Sequence, residues 1–130
     1  MTQLLLDTTF LVDVERGADL ARVIADDDDV AIAAITIAEL RVGVLLADGR
    51  RRRARSSYVE ELIDAIPVIP YDLRVAEAHA QLLIAVRQQG RPRGAHDLIV
   101  AATARSTGRV VLTADASAFA DLPDVEIRPH

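Results

Sequence analysis

Residues 95–119 read AHDLIVAATARSTGRVVLTADASAF. Apolar residues recur at helical spacing from Leu98 onward, Asp97 falls in the first turn, and Gly108 is placed to stop the helix. An apolar run over residues 109–113 follows as a strand, and Asp115 stands just past its end. A helix that opens on an acid thus delivers the chain to a strand that finishes on another.

The same pattern extends towards both termini. Leu4, Leu5 and Leu6 predict a buried strand ending at Asp7, with Thr8 or Thr9 capping a helix over residues 8–16 and Gly17 stopping it. Residues 18–26 predict a second short helix, and residues 26–29 a solvated acidic turn. Residues 30–35 form the second strand. Thr36 is then the expected N-cap, and Glu39 follows at the spacing of a capping box. That helix runs towards Gly49, and another covers residues 54–65 with Leu62 and Ile63 buried. Pro67 and Pro70 bracket a two-residue strand, which belongs near a sheet edge. Asp72 caps a long helix to about residue 89, whose apolar stripe comprises Val75, Ala76, Leu82, Leu83 and Val86. Residues 90–94 (GRPRG) are a loop, and residues 125–127 a weaker last strand. Strands alternating with helices over 130 residues predict an α/β fold, a three-layer α/β/α sandwich with a mainly parallel central sheet, in one domain spanning residues 1–130.

Composition narrows the chemistry. Hydrophobic residues make up 51% of the chain but aromatic residues only 3%, so the core is built from Ala, Val, Ile and Leu, with Phe10 and Phe119 as its large pieces. The absence of cysteine excludes disulfides, thiolate nucleophiles and Cys-ligated metals, and leaves oxygen or His to hold any ion. All 15 basic residues are Arg, which removes every mechanism that needs a lysine. No stretch reaches the apolar length of a membrane span and the first residues lack an export pattern, so a cytoplasmic location is expected. The net charge of -5 argues against passive nucleic-acid binding, which relies on neutralising phosphates.

Four acids, Asp7, Glu39, Asp97 and Asp115, each stand just past a strand or in the opening turn of a helix. In a parallel sheet these positions share one edge. At about 4 Å and an effective dielectric near 20, each pair of charges there costs roughly 4 kcal/mol. Either some acids stay protonated or a hard divalent cation compensates them. Each also has a plain local explanation: a turn for Asp7, capping for Glu39, the helix dipole for Asp97, a helical turn for Asp115.

In their surroundings these acids closely resemble those of the PIN-domain ribonucleases, and specifically the VapC toxins of type II toxin–antitoxin systems. The resemblance is carried by LLLDTTFLVD (4–13), ITIAELRVGV (35–44), AHDLIVAATA (95–104) and VVLTADASAF (110–119). It implies a PIN-like fold, Mg²⁺-dependent or Mn²⁺-dependent endonucleolytic cleavage of RNA, a homodimer, and a cognate VapB antitoxin that occupies the site. On this footing Asp7 and Asp97 are expected as direct metal ligands, with Glu39 and Asp115 acting through water or completing a second site. Thr8 and Thr113 flank the acids and can hydrogen-bond them.

Arg50 and Arg51, in the basic run 50–53, and Arg91 and Arg93, in the loop before Asp97, are candidates for phosphate contact. His96 is expected to point away from the site, and Asp13 to be a solvated helix residue. Two other classes compete. Phosphoryl transfer on a strand-end Asp lacks the needed features, since Thr9 fills the second acid's slot and no lysine exists. A non-catalytic, metal-stabilised RNA- or protein-binding module is compatible with the composition.

Overall fold

The computed structural model describes residues 1–19 and 22–130. Its sheet has five strands, all parallel, in the order β3-β2-β1-β4-β5. These are β1 (Gln3–Leu6), β2 (Asp29–Ala33), β3 (Val68–Ile69), β4 (Val110–Thr113) and β5 (Ile127–Pro129). The helices are α1 (Thr8–Glu15), α2 (Ala34–Leu46), α3 (Gly49–Ala65), α4 (Leu73–Gln89) and α5 (Ala95–Thr107).

Alternation along the strands divides the core into two layers. Leu5, Ala31, Ala33 and Val111 face α4 and α5, while Leu4, Leu6, Ile32 and Leu112 face α1, α2 and α3. The strands are apolar on both faces because both are covered, which makes the sandwich three-layered. In the first layer α5 contributes Ala101, Ala102 and Ala104, each fully buried. Residues this small let the helix lie close to the sheet and to α4. Phe119 and Phe10 are the largest buried side chains, one in each layer.

Several boundaries depart from the sequence reading. No loop separates β2 from α2, so the helix starts at Ala34, Ala33 is its N-cap, and no capping box forms. Thr36 is instead fully buried inside the helix with its hydroxyl unpartnered, and Glu39 is free for another role. Asp7, not Thr8 or Thr9, is the N-cap of α1. The expected helix over 18–26 includes residues 20 and 21, which lie outside the described residues, and residues 23–28 form turns. Helix α3 begins at Gly49, so Arg50 and Arg51 lie in its first turn. On it Val59 is the buried residue while Ile63 is 41% exposed. The last strand sits two residues later than expected, where Ile127 pairs with Val111. Asp72 does cap α4, accepting from the Val75 amide at 3.0 Å, and β3 does lie at the sheet edge.

Replacing Ala101 with Leu should overpack the α5 layer and cost about 1–3 kcal/mol. Urea unfolding should show a lower midpoint with an unchanged slope.

Candidate active site

The register of β1 on β4 builds the centre of the site. The two strands run side by side, and the Asp7 amide donates to the Leu112 carbonyl at 2.9 Å, so the residues after each strand emerge together. Asp7 is 3% exposed. Its Oδ2 accepts from the Thr9 hydroxyl at 2.8 Å and from the Thr113 hydroxyl at 2.9 Å. Those hydroxyls in turn accept from the amides of Ala114 (3.0 Å) and Asp115 (2.9 Å). Each hydroxyl has one proton and spends it on Asp7, so the two threonines lock one carboxylate oxygen and leave Oδ1 without a hydrogen bond from the described residues.

The other acids arrive from three further elements. Glu39, in the second turn of α2, accepts from the Thr8 hydroxyl at 2.9 Å through Oε1, and its Oε2 stands 3.6 Å from Nδ1 of His96. Asp115 follows β4 and accepts from the Ser117 hydroxyl at 2.6 Å. Asp97 is the third residue of α5. Burial, then the charges of Asp7, Glu39 and Asp115, push its carboxyl above the ordinary value of 3.8, partly opposed by His96. All four acids therefore share one electrostatic neighbourhood. Thr8 and Thr113 both bond acids; His96 turns towards the site instead of away from it.

Three further participants escaped the sequence reading: Thr9, read there as an alternative helix cap, Ser117, and Gly94. Ser117 stands two residues after Asp115, a spacing typical of local side-chain turns, and that was an available signal. Gly94 has φ -60 and ψ 138, a conformation open to any residue. A Cβ there would lie 2.8 Å from Oδ2 of Asp97. Glycine is needed at this position for space, so that the carboxylate can fold back over it.

The candidate arginines divide. Arg93 is partly buried and donates to the carbonyls of Ala118 (3.3 Å) and Ala120 (2.5 Å). Arg91 reaches the Ser117 carbonyl (3.5 Å) and Asp121 (3.5 Å). Together they tie the loop before Asp97 to the turn after Asp115, so Arg93 in particular is committed to backbone. Arg50 and Arg51 are exposed and make no hydrogen bond or ion pair with the four acids.

These donors suit a hard cation: carboxylate and hydroxyl oxygens predominate, and burial followed by the neighbouring acids raises Asp97. They do not form a finished cage, since among the described residues no three Asp, Glu or His side chains are grouped closely enough to hold a metal by themselves. Such spacing agrees with an ion that keeps several waters and takes only one or two carboxylates directly.

The model of the PIN domain family matches residues 4–125. Among curated proteins, the chain is 34% identical over 125 residues to "Toxin FitB" of Neisseria gonorrhoeae, covering 89% of this chain and 90% of that one. It is 36% identical over 110 residues to "Ribonuclease VapC5" of Mycobacterium tuberculosis, covering 85% and 81%. Among solved structures, VapBC-5 from Mycobacterium tuberculosis superposes with a TM-score of 0.83 at 32% identity over 100% of both chains. DNA-bound VapBC from Salmonella typhimurium gives 0.88 at 25% identity, covering 99% and 98%.

Two outcomes follow from the raised Asp97. Its penalty is absent below pH 3.8, where folded and unfolded chains are both protonated, grows as pH rises towards the folded value, and is complete above it. Asp97→Asn should therefore stabilise the metal-free protein at pH 7, with the gain vanishing below pH 3.8, as read by thermal melts in chelator. Gly94→Ala should displace the carboxylate and weaken Mn²⁺ binding by roughly 10-fold to 100-fold, measured by electron paramagnetic resonance, while the melting temperature holds or rises.

Proposed function

This chain belongs to the PIN-domain family and to its VapC branch, and we propose that it is an endoribonuclease toxin that requires Mg²⁺ or Mn²⁺ and is silenced by a cognate VapB-type antitoxin. One observation carries the reading: a half-buried Asp97 at the edge of a parallel sheet, surrounded by the charges of three other acids. Such an arrangement opposes stable folding unless a cation or a basic group joins it.

A divalent ion held here supplies an activated water and shields the charge developing on the phosphate. Asp7, fixed through Oδ2, offers Oδ1 in one orientation. Asp97 is the second direct ligand, and Glu39 and Asp115 hold water around the ion or complete a second site. Thr8, Thr9, Thr113 and Ser117 position these acids.

Silencing follows from the same charges, because a basic side chain from the antitoxin satisfies the acids and competes with metal. Beside Glu39 a hollow of about 320 Å³ is lined by Ile35, Ala38, Val42 and His96, and α2 continues with exposed Leu45 and Leu46. Covering these apolar residues is what an antitoxin helix would do there. Assembly as a homodimer in the cytoplasm completes the proposal.

Purified protein should cut a susceptible RNA with Mg²⁺ or Mn²⁺ and stop on chelation. Asp97→Asn should lower the rate by on the order of 100-fold or more, and Thr9→Val by roughly 10-fold to 100-fold. Sequencing of RNA 5′ ends after induced expression checks the activity in cells; undiminished cleavage by Asp97→Asn would refute the assignment.

A further inference from the structure

A second feature opens directly from the acid site. Thr8 and Val12 of α1 and Arg16, its C-cap, follow one another at four-residue intervals and line one wall of a cleft of about 190 Å³. Glu39, Leu40 and Gly43 of α2 line the facing wall. Thr8 and Glu39, hydrogen-bonded to each other, line the end nearest the other acids. Helix α3 supplies the remaining side, clamped to α1 by the Tyr58 hydroxyl, which donates to the Leu11 carbonyl at 2.6 Å.

The far end holds two arginines, Arg16 and Arg55, against one acid, Glu15. Nη1 of Arg55 donates to the Gly43 carbonyl at 3.0 Å, and its Nε stands 3.9 Å from Glu15, which leaves the other terminal nitrogen without a hydrogen bond from the described residues. The Arg16 side chain is exposed and makes no hydrogen bond or ion pair with any described residue. One four-residue step advances about 6 Å along a helix. Gly43, with Arg55 attached, therefore lies about one step from Glu39, and Arg16 about two steps from Thr8. Between the acids and these cations the walls are apolar, formed by Val12, Leu40 and Val59.

We propose that this cleft seats the RNA strand flanking the scissile phosphate, with Arg55 and then Arg16 gripping successive phosphates and the apolar walls lying against ribose and base. The proposal rests on the endoribonuclease reading above and adds to it the location of the substrate strand. Charge at the far end favours phosphate: Glu15 is matched by Arg55, and Arg16 adds a guanidinium group that draws phosphate and repels a basic tail. It also explains how an acidic protein retains RNA, because two preplaced guanidinium groups act locally where the net charge cannot.

The test uses full-length protein with Mn²⁺ and a labelled single-stranded RNA that the wild type cleaves. Arg16→Ala removes a side chain with no internal partner, so folding is preserved. KM should rise about tenfold with kcat within about twofold. The salt dependence of log(kcat/KM) should flatten by about 0.7 per lost phosphate contact. Mn²⁺ affinity should stay at the wild-type value, which separates a strand contact from damage to the acids. Arg55→Lys keeps the charge but loses the fork, and should show a smaller KM rise. Arg74→Ala, beside the opposite end of α5, should match the wild type. Unchanged KM and salt slope in the Arg16→Ala/Arg55→Ala double variant would overturn the proposal. So would intact RNA kinetics with loss of binding to the co-expressed antitoxin, which would give the cleft to a protein partner. A wild type that binds Mn²⁺ but cuts no RNA would instead refute the endoribonuclease reading.

Discussion

The pairing of β1 with β4 is the constraint from which the rest of the site follows. Because the strands are parallel and in register from Leu4 on Val110 to Leu6 on Leu112, Asp7 and Asp115 leave the sheet side by side. Hydroxyls at Thr9 and Thr113 then close the gap between the two chain segments, each bonding Asp7 and an amide on the β4 side. A slip of one residue would turn Leu4 and Leu6 to the wrong core layer and separate Asp7 from Thr113 at once. The hydrophobic pattern that fixes the register therefore fixes the acid geometry too.

How much of this was legible in the sequence depends on whether the deciding contact is local. The runs ending at Asp7 and Asp115 read as strands because both faces are buried and no alternation confuses them. Asp72 read correctly as a cap because its partner, Val75, is three residues away. Thr36 and Glu39 misled for the converse reason. The capping-box spacing is real, but β2 runs into α2 without a break, and tertiary burial of Thr36 overrides the local motif. The direction of His96 depends on Glu39, 57 residues earlier, and no helical wheel contains that. Arg93 likewise finds its partners at Ala118 and Ala120, beyond a whole helix and strand.

The two core layers contribute differently. Around α4 and α5 the packing is dense and alanine-rich, and it presents Asp97 on the first turn of a rigid, largely buried helix. Around α1, α2 and α3 the helices leave an open cleft beginning at Glu39. A site assembled across the sheet edge thus receives one acid from the tight layer, one from the open layer, and two from the strands between them.

The acids also differ in how firmly they are held. Asp7 accepts from Thr9 and, across the strand pair, from Thr113, so rotating it would strand the buried Thr113 hydroxyl at a cost of about 1–3 kcal/mol, whereas Asp115 is exposed and accepts from an exposed Ser117. Glu39 is held by one hydroxyl and a 3.6 Å contact with an exposed imidazole, and Asp97 has only the space above Gly94 to settle in. Burial, and then the charges of the other three acids, raise Asp97, so a cation or an arriving basic group beside it would act against both.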